Sequence, residues 1–395
     1  MKMEGHMRTD LKRVPTMKIF DFAFFTQSIE GIVELTIGEP DFNTPEHVKE
    51  AGMAAIANNR THYAPQRGTT GLLSAISDDV AKKIGKVYDP ATEMTEILVT
   101  NGVTEGAYAA VTAITNPGDV ILVPTPTFSI YMADAAIAGG TAVEVDTSKT
   151  NFRLTPELIQ SYLDEYGDRV KGLVVVNPTN PTGIAMNQDE LDAIADVVRD
   201  KPIFVIADEI YDQLAYTDGA DQYPSIVKSL PEQTILLNGF SKSYAMTGWR
   251  VAYMCAPKPI TDELFKVHGF AVTDVATFVQ DAAEEALRNG QEDPAAMRAQ
   301  YQERRNVLYQ GLQELGWETT NPEGAFYIFA KIPDYLEQDD EKFAYDLAEK
   351  AKVAVTPGSY FGAGGEGYVR FSYATDLNVI KTALERLQKY CAARR

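Results

Sequence analysis

The sequence predicts an α/β protein, with a large domain built on a mostly parallel sheet and a smaller α+β domain after it. Three observations support this fold class. The chain has 395 residues, more than one hydrophobic core usually serves. Short apolar runs alternate with helical patterns through the middle of the chain, as they do in α/β folds. The pattern then changes near position 294, where a long helical stretch begins.

Six short apolar runs are the candidate strands of the large domain. They are rich in β-branched residues and show little polar alternation, which is typical of strands buried on both faces. Helical patterns separate many of them, such as the one over 188–199. The alternation predicts parallel strands with helices on both faces of the sheet. The runs occupy residues 96–100, 119–123, 141–145, 172–176, 203–207 and 234–238.

The C-terminal part is predicted to form the smaller α+β domain. Helices are expected over 294–315, 341–351 and 376–394, and strands over 325–329, 353–355 and 368–372. The resulting division gives an N-terminal arm over 1–35, a large domain over 36–285 and a small domain over 286–395. The arm carries four Phe side chains and is expected to pack with the small domain.

Composition argues against several classes of protein. Lys and Arg total 36 against 56 Asp and Glu, and a net charge of -20 would repel a nucleic-acid backbone. Two Cys and four scattered His fit neither a disulfide scaffold nor a zinc site, so no metal is expected. No apolar run is long enough to span a membrane, and no signal-peptide core is visible. We therefore expect a cytoplasmic protein.

Reactive side chains follow the predicted strands at the points where they end. Because ligands bind outside the carboxyl ends of the strands in open α/β sheets, these loops are expected to share one crevice. The loops are Asn101-Gly102-Val103-Thr104, Asn177-Pro-Thr-Asn180-Pro-Thr-Gly183, Asp208-Glu-Ile-Tyr211 and Gly239-Phe-Ser-Lys242-Ser-Tyr-Ala-Met-Thr-Gly-Trp-Arg250.

This set of groups matches what pyridoxal 5′-phosphate (PLP) requires. A carboxylate keeps the pyridine nitrogen protonated, so that the ring can accept electrons. A phenol and an amide can hydrogen-bond the ring's 3-oxygen. A helix N-terminus and an arginine can hold a phosphate dianion, and a lysine of lowered pKa can bond the cofactor and move a proton.

Five motifs in order resemble the class I/II aminotransferases of PLP fold type I, and the resemblance covers nearly the whole chain. It implies a mostly parallel seven-stranded sheet in the large domain. The motif sequences look most similar to those of aromatic, N-acetyl-diaminopimelate and aspartate-type aminotransferases. The motifs are Leu35-Thr-Ile-Gly-Glu-Pro-Asp-Phe42, Tyr63-Ala-Pro-Gln-Arg-Gly68, Asn180-Pro-Thr-Gly183, Asp208-Glu-Ile-Tyr211 with Ser241-Lys242-Ser-Tyr-Ala-Met-Thr-Gly-Trp-Arg250, and Tyr368-Val-Arg-Phe-Ser372.

The resemblance implies a cofactor role for a set of these residues. Lys242 would form the Schiff base with PLP and move the proton, and Asp208 would pair with the ring nitrogen. The remaining contacts would come from Tyr211 and Asn180 to the ring oxygen, Phe128 to the ring face, and Arg250, Ser241, Val103 and Thr104 to or near the phosphate.

The resemblance also implies how the substrate and a second chain are bound. Arg370 would bind the substrate α-carboxylate, with Gly38 and Asn180 nearby. Tyr63 would reach the phosphate of the other subunit's cofactor, which implies a homodimer with shared sites. The expected reaction moves an amino group from an L-amino acid to a 2-oxo acid such as 2-oxoglutarate, with ping-pong kinetics.

Several alternatives remain open from the sequence. A carbon–sulfur β-lyase could use the same lysine. A transcription regulator's effector domain would need a DNA-binding extension. A dehydrogenase would need a GxGxxG motif, and no such motif follows the early strands. No motif marks a cation for a second substrate carboxylate, although Arg13 and Arg67 are candidates. His268 is expected on a helix surface or at an interface.

Overall fold

The computed structural model describes residues 6–91, 95–216 and 223–395. The N-terminal segment forms a helix, α1 (Lys18–Gln27), and a short strand, β1 (Val33–Glu34). Phe22 of α1 is buried and meets the ring of Tyr345 edge-on, with ring centroids 5.0 Å apart. β1 pairs in parallel with Val353 and Ala354. The N-terminal segment therefore packs on the C-terminal part of the chain.

Helices and strands then alternate through the middle of the chain. The elements, in order, are α2 (Glu46–Ala57), α3 (Thr70–Ile84), β2 (Ile97–Thr100), α4 (Gly102–Ile114), β3 (Val120–Thr125), α5 (Ile130–Ala138), β4 (Thr141–Asp146), α6 (Pro156–Tyr166), β5 (Val170–Val176), α7 (Gln188–Val198), β6 (Phe204–Asp208), β7 (Thr234–Gly239), β8 (Ala252–Cys255), α8 (Lys258–Ala271) and α9 (Thr277–Asn289).

The strands of this region form one seven-stranded sheet in the order β2-β8-β7-β6-β5-β3-β4. The six predicted runs are confirmed as six of its strands. The seventh, β8, was not located in the sequence, and it pairs antiparallel with both β2 and β7. Since β8 runs against its neighbours, its first residues lie at the edge of the sheet where β2 and β7 end.

Both faces of the sheet are buried, as the apolar runs predicted. Ile121, Val174 and Ile206 pack into a core on one side, and Leu173 and Val205 pack into a core on the other. Capping residues mark where helices that cover the sheet begin, as at α7. Asn187 accepts from the Glu190 N–H at the start of α7, and the Glu190 side chain accepts from the Asn187 N–H, which forms a capping box.

The C-terminal part contains α10 (Asp293–Glu314), β9 (Tyr327–Lys331), α11 (Asp340–Ala351), β10 (Val353–Ala354), β11 (Thr356–Pro357), β12 (Tyr368–Ser372) and α12 (Leu377–Ala392). Strands β11, β12 and β9 form an antiparallel sheet. The strand expected over 325–329 begins two residues later, and the one expected over 353–355 is two short strands. The strand 368–372 is confirmed, whereas the domain boundaries stay predictions.

His47 joins three helices where the middle of the chain meets α10. Its Nδ1 lies 2.9 Å from Glu285 of α9, and its Nε2 lies 2.9 Å from Asp293 of α10. The hydrogen bond with Asp293, helped by the one with Glu285, outweighs burial and raises the pKa of His47. Within the described residues, no helix has the length and apolar character needed to cross a membrane.

Candidate active site

Lys242 follows β7, and its amine lies near residues from the N-terminal, middle and C-terminal parts of the chain. Its Nζ donates to the Gly38 carbonyl at 2.6 Å and lies 5.8 Å from the ring centroid of Tyr211. Burial lowers the pKa of the amine to about 8. The charges of Arg370 and Arg250 act in the same direction, whereas Glu39 and Asp208 oppose them. A large fraction of the amine is therefore neutral near pH 8, as a nucleophile or proton acceptor needs.

Asp208 is the last residue of β6 and is buried. Its Oδ2 accepts from the Tyr131 hydroxyl at 2.6 Å, and its Oδ1 accepts from the Ile210 N–H at 3.2 Å. Burial raises the pKa of Asp208, and these donors and the Lys242 charge offset only part of that rise. A bound cation would stabilise this carboxylate further. Sequence reasoning missed Tyr131, because it lies within α5 rather than directly after a strand.

Tyr211 and Asn180 come from neighbouring loops. The Tyr211 hydroxyl shares a hydrogen bond of 3.0 Å with the hydroxyl of Tyr327, and both side chains are buried. Asn180 Oδ1 accepts from the guanidinium of Arg370 at 2.8 Å. Tyr327 was also missed, because it lies in an apolar run that was assigned only to a strand. The two predicted residues and Tyr327 form one polar wall of the site.

Arg370 lies in β12 with 3% of its surface exposed. Its Nη2 donates to the Thr36 carbonyl at 2.7 Å, and its guanidinium carbon lies 4.4 Å from the ring centroid of Tyr327 and 4.9 Å from that of Phe361. Among the described residues, its buried Nε has no hydrogen-bond partner. The fork is thus held rigidly and keeps one donor for an anion.

The turn between β2 and α4 meets Arg250. Gly102 begins α4 with a φ of +77°, and a Cβ there would overlap Nη2 of Arg250. Arg250 itself has a φ of +54°, and its Nη1 donates to the Thr247 carbonyl at 2.8 Å. Val103 and Thr104 supply further N–H groups in the first turn of α4. A helix N-terminus beside a guanidinium is suited to bind a phosphate.

Three other predicted residues lie in different surroundings. Phe128 is half-buried just before α5, and Ser241 is buried beside Lys242. Tyr63 is 89% exposed, so it has few contacts with its own chain. A role at the other subunit's site, as the resemblance implies, is compatible with this exposure but stays a prediction.

These groups fit PLP in charge and in shape. The lowered pKa of Lys242, the buried carboxylate of Asp208 and the close approach of Gly102 to Arg250 each match one part of the cofactor. The unpartnered donor of Arg370 matches a substrate carboxylate. No cluster of three or more His, Cys, Asp or Glu side chains in the described part of the chain could hold a metal ion.

The model of the family called aminotransferase class I and II matches residues 30–387. The chain belongs to this family. It is an aminotransferase with the type I fold of PLP-dependent enzymes. Its family is known to use PLP. Amino-group transfer is favoured over the lyase alternative.

Known proteins with related sequences and structures differ in their named substrates. The chain is 37% identical to aromatic-amino-acid aminotransferase 2 of Thermococcus litoralis, over 94% of each protein. It is 37% identical to a probable N-acetyl-LL-diaminopimelate aminotransferase of Bacillus subtilis, over 100% of this chain and 98% of that one. The solved aspartate aminotransferase of Thermus thermophilus with maleate superimposes with a TM-score of 0.90 at 33% identity, covering 97% of this chain and 99% of that chain.

Proposed function

We propose that this aminotransferase holds PLP through Lys242 and moves an amino group from an L-amino acid to a 2-oxo acid such as 2-oxoglutarate. The observation that carries the proposal is the amine of Lys242. Its pKa is lowered to about 8, and it lies within electrostatic reach of Asp208, Arg250 and Arg370. One nucleophile thus stands among the partners needed by a ring nitrogen, a phosphate and a carboxylate.

The residues that would hold PLP are those of the sheet edge. When bound, PLP supplies a protonated ring that accepts the electron pair left when the α-proton departs. Asp208 would keep the ring nitrogen protonated, and the Tyr131 hydroxyl keeps Asp208 oriented. Tyr211 and Asn180 would donate to the ring oxygen, and Phe128 would cover one ring face. Arg250, Ser241 and the N–H groups of Val103 and Thr104 would hold the phosphate.

The substrate would be oriented by Arg370 and deprotonated by Lys242. The guanidinium is fixed by Asn180 and Thr36, so it would present its remaining donor to the α-carboxylate with little loss of conformational freedom. Gly38 would lie beside the substrate, since its carbonyl already accepts from Lys242. The amine of Lys242 would accept the α-proton and return it to the cofactor side. Two alternating half-reactions of this kind give ping-pong kinetics.

The charges near the site favour an aromatic or other uncharged amino donor over a dicarboxylic one. Arg67 pairs with Asp262 at 2.9 Å and stacks on Phe265 at 4.2 Å. Arg13 donates to the Gly140 carbonyl and to the Thr141 hydroxyl. Both arginines considered for a second carboxylate are therefore engaged elsewhere. Glu39, whose negative charge acts to raise the pKa of Lys242, would repel such a carboxylate.

The attachment of PLP is tested by borohydride reduction and peptide mapping. Reduction of the loaded wild type should fix the cofactor to the peptide that contains Lys242, and Lys242→Ala should leave no reduced adduct. Lys258→Ala is the matched control, because Lys258 pairs with Asp262 away from the site. Adduct formation and full turnover in Lys242→Ala would refute the proposal.

The reaction is tested by a panel of donors without acceptor. Each productive amino acid should convert the bound cofactor in a single turnover, and 2-oxoglutarate should reverse the change. Phenylalanine or tyrosine should give a higher kcat/KM than aspartate. Release of pyruvate and ammonia from cystathionine without acceptor would support the β-lyase instead, and ordered sequential kinetics would contradict the two-step scheme.

The proposal includes a homodimer in which Tyr63 reaches the partner's cofactor. Support comes from the exposure of large apolar side chains, since Tyr63 is 89% and Phe270 97% exposed. Light scattering should give twice the mass of the chain, and Tyr63→Phe should weaken PLP affinity without changing that mass. A monomer with full activity would refute the shared site. The cytoplasmic location stays a prediction.

A further inference from the structure

His268 of α8 is enclosed, with 0% of its surface exposed. The expectation that it lies on a surface or at an interface is therefore wrong within this chain. Its position had no marker in the sequence, because the groups that enclose it come from α4 and from the loop before α3. The described contacts instead place it between the start of α4, where the phosphate site is predicted, and the loop of Gln66, which is expected to reach the partner's site.

Both ring nitrogens of His268 face groups that can only accept hydrogen bonds. Nδ1 lies 3.2 Å from each carboxylate oxygen of Glu105, and Nε2 lies 3.0 Å from the Gln66 carbonyl oxygen. A neutral imidazole has one donor and one acceptor, so it can satisfy only one of these partners. Only the doubly protonated, cationic ring can donate to both partners at once.

Glu105 connects this ring to the predicted phosphate site. It lies near the start of α4, and its Oε2 accepts from the Asn101 N–H at 3.1 Å, which holds the turn that precedes Gly102. A lone carboxylate at that point would repel a phosphate dianion. The imidazolium of His268 removes this penalty, because the pair carries no net charge.

We propose that His268 is a positioning residue for the cofactor phosphate, whose imidazolium cancels the charge of Glu105 and anchors the loop of Gln66, so that phosphate binding weakens when His268 loses its proton. The inference rests on the proposed function, because it concerns the PLP site assigned there. Gln66 lies three residues after Tyr63, so the same contact also fixes the loop expected to reach the partner's site.

The surrounding charges set the direction of the pH dependence. Two anions act on the ring: Glu105 from α4 contacts it, and Asp274 after α8 acts through its charge, while the nearby cation Arg67 is paired with Asp262. Burial lowers the pKa of His268, but the hydrogen bond and charge of Glu105 outweigh it, and the pKa is raised from 6.5. The pair is therefore complete below pH 6.5 and is lost as the pH rises through the raised value.

The test measures the dissociation constant of pyridoxamine 5′-phosphate between pH 6 and 9.5. This probe carries the phosphate but cannot bond Lys242. The comparison is with Glu105→Gln, which keeps an acceptor for Asn101 and lets a neutral His268 donate to Gln66. The ratio of wild-type to variant dissociation constants should rise about tenfold with pH, the effect of one charge-assisted hydrogen bond. Titration of Lys242 and of the phosphate cancels in this ratio.

His268→Gln provides a second measurement, since its amide can donate to only one partner well. It should bind the probe about tenfold more weakly than wild type at pH 6, with the difference vanishing at high pH. A ratio for Glu105→Gln that stays constant with pH would overturn the inference, even if His268→Gln fails to fold. Absence of saturable binding by the wild type would refute the proposed function and this inference with it.

Discussion

Arg370→Lys isolates the part of the site that would bind the substrate carboxylate. Lysine keeps the positive charge but loses the planar fork, which Asn180 and Thr36 hold in place at 2.8 and 2.7 Å. The fixed, charge-assisted hydrogen bond to the carboxylate is replaced by a contact with a mobile point charge. At about 1.5–3 kcal/mol for such a bond, its loss predicts a fall in kcat/KM of about 100-fold.

The assay is the single-turnover half-reaction with an amino acid and with the matching amine that lacks the carboxylate. For phenylalanine the variant should lose about 100-fold in kcat/KM, about 2.7 kcal/mol. For phenethylamine, wild type and variant should react at similar rates, because this substrate has no carboxylate for the side chain at position 370 to bind. Equal losses for both substrates would refute the reasoning, since they would indicate damage to Lys242 or to the cofactor site.

Three further changes test other parts of the structure. Tyr131→Phe removes a donor to Asp208, so the pKa of that carboxyl should rise further and kcat/KM should fall about tenfold. The pH profile of kcat/KM for the variant measures both changes. Gly102→Ala places a Cβ against Arg250 at a positive φ, so PLP affinity and melting temperature should both fall. His47→Gln should lower the melting temperature at pH 6 and matter progressively less as the pH rises, because the raised pKa of His47 makes its ion pairs complete only below 6.5. A pH-independent difference would contradict this last reasoning.

Strand positions in the large sheet could be predicted because buried strands carry a local signal. The run at 203–207 is apolar throughout and the run at 234–238 is apolar at its three central positions, and both are strands within one residue at either end. β8 was missed although residues 251–256 are just as apolar, and its antiparallel direction follows from pairing with β2 and β7 rather than from composition. The break between β10 and β11 likewise follows from their separate partners, β1 and β12.

The candidate site was predictable where its residues follow strands, and less so where they do not. Lys242 and Asp208 follow from the rule that ligands bind at the carboxyl ends of parallel strands. Tyr131 and Tyr327 come from within a helix and a strand, and only packing between elements brings their hydroxyls to Asp208 and Tyr211. The burial of His268 was missed for the same reason.

If Gly102 and Arg250 hold the cofactor phosphate as proposed, the antiparallel course of β8 links cofactor retention to the integrity of the sheet. Gly102 and Arg250 meet only when β8 is paired with both β2 and β7, since Ala252 aligns with Thr100 on one side and with Gly239 on the other. A ligand that binds only this assembled arrangement adds to the free energy of unfolding by RT ln(1 + [L]/Kd). At a concentration of 100 Kd that is about 2.7 kcal/mol, a large share of the net stability of an ordinary protein. The supply of the vitamin-derived cofactor would then set how much folded enzyme persists, as well as how fast it works.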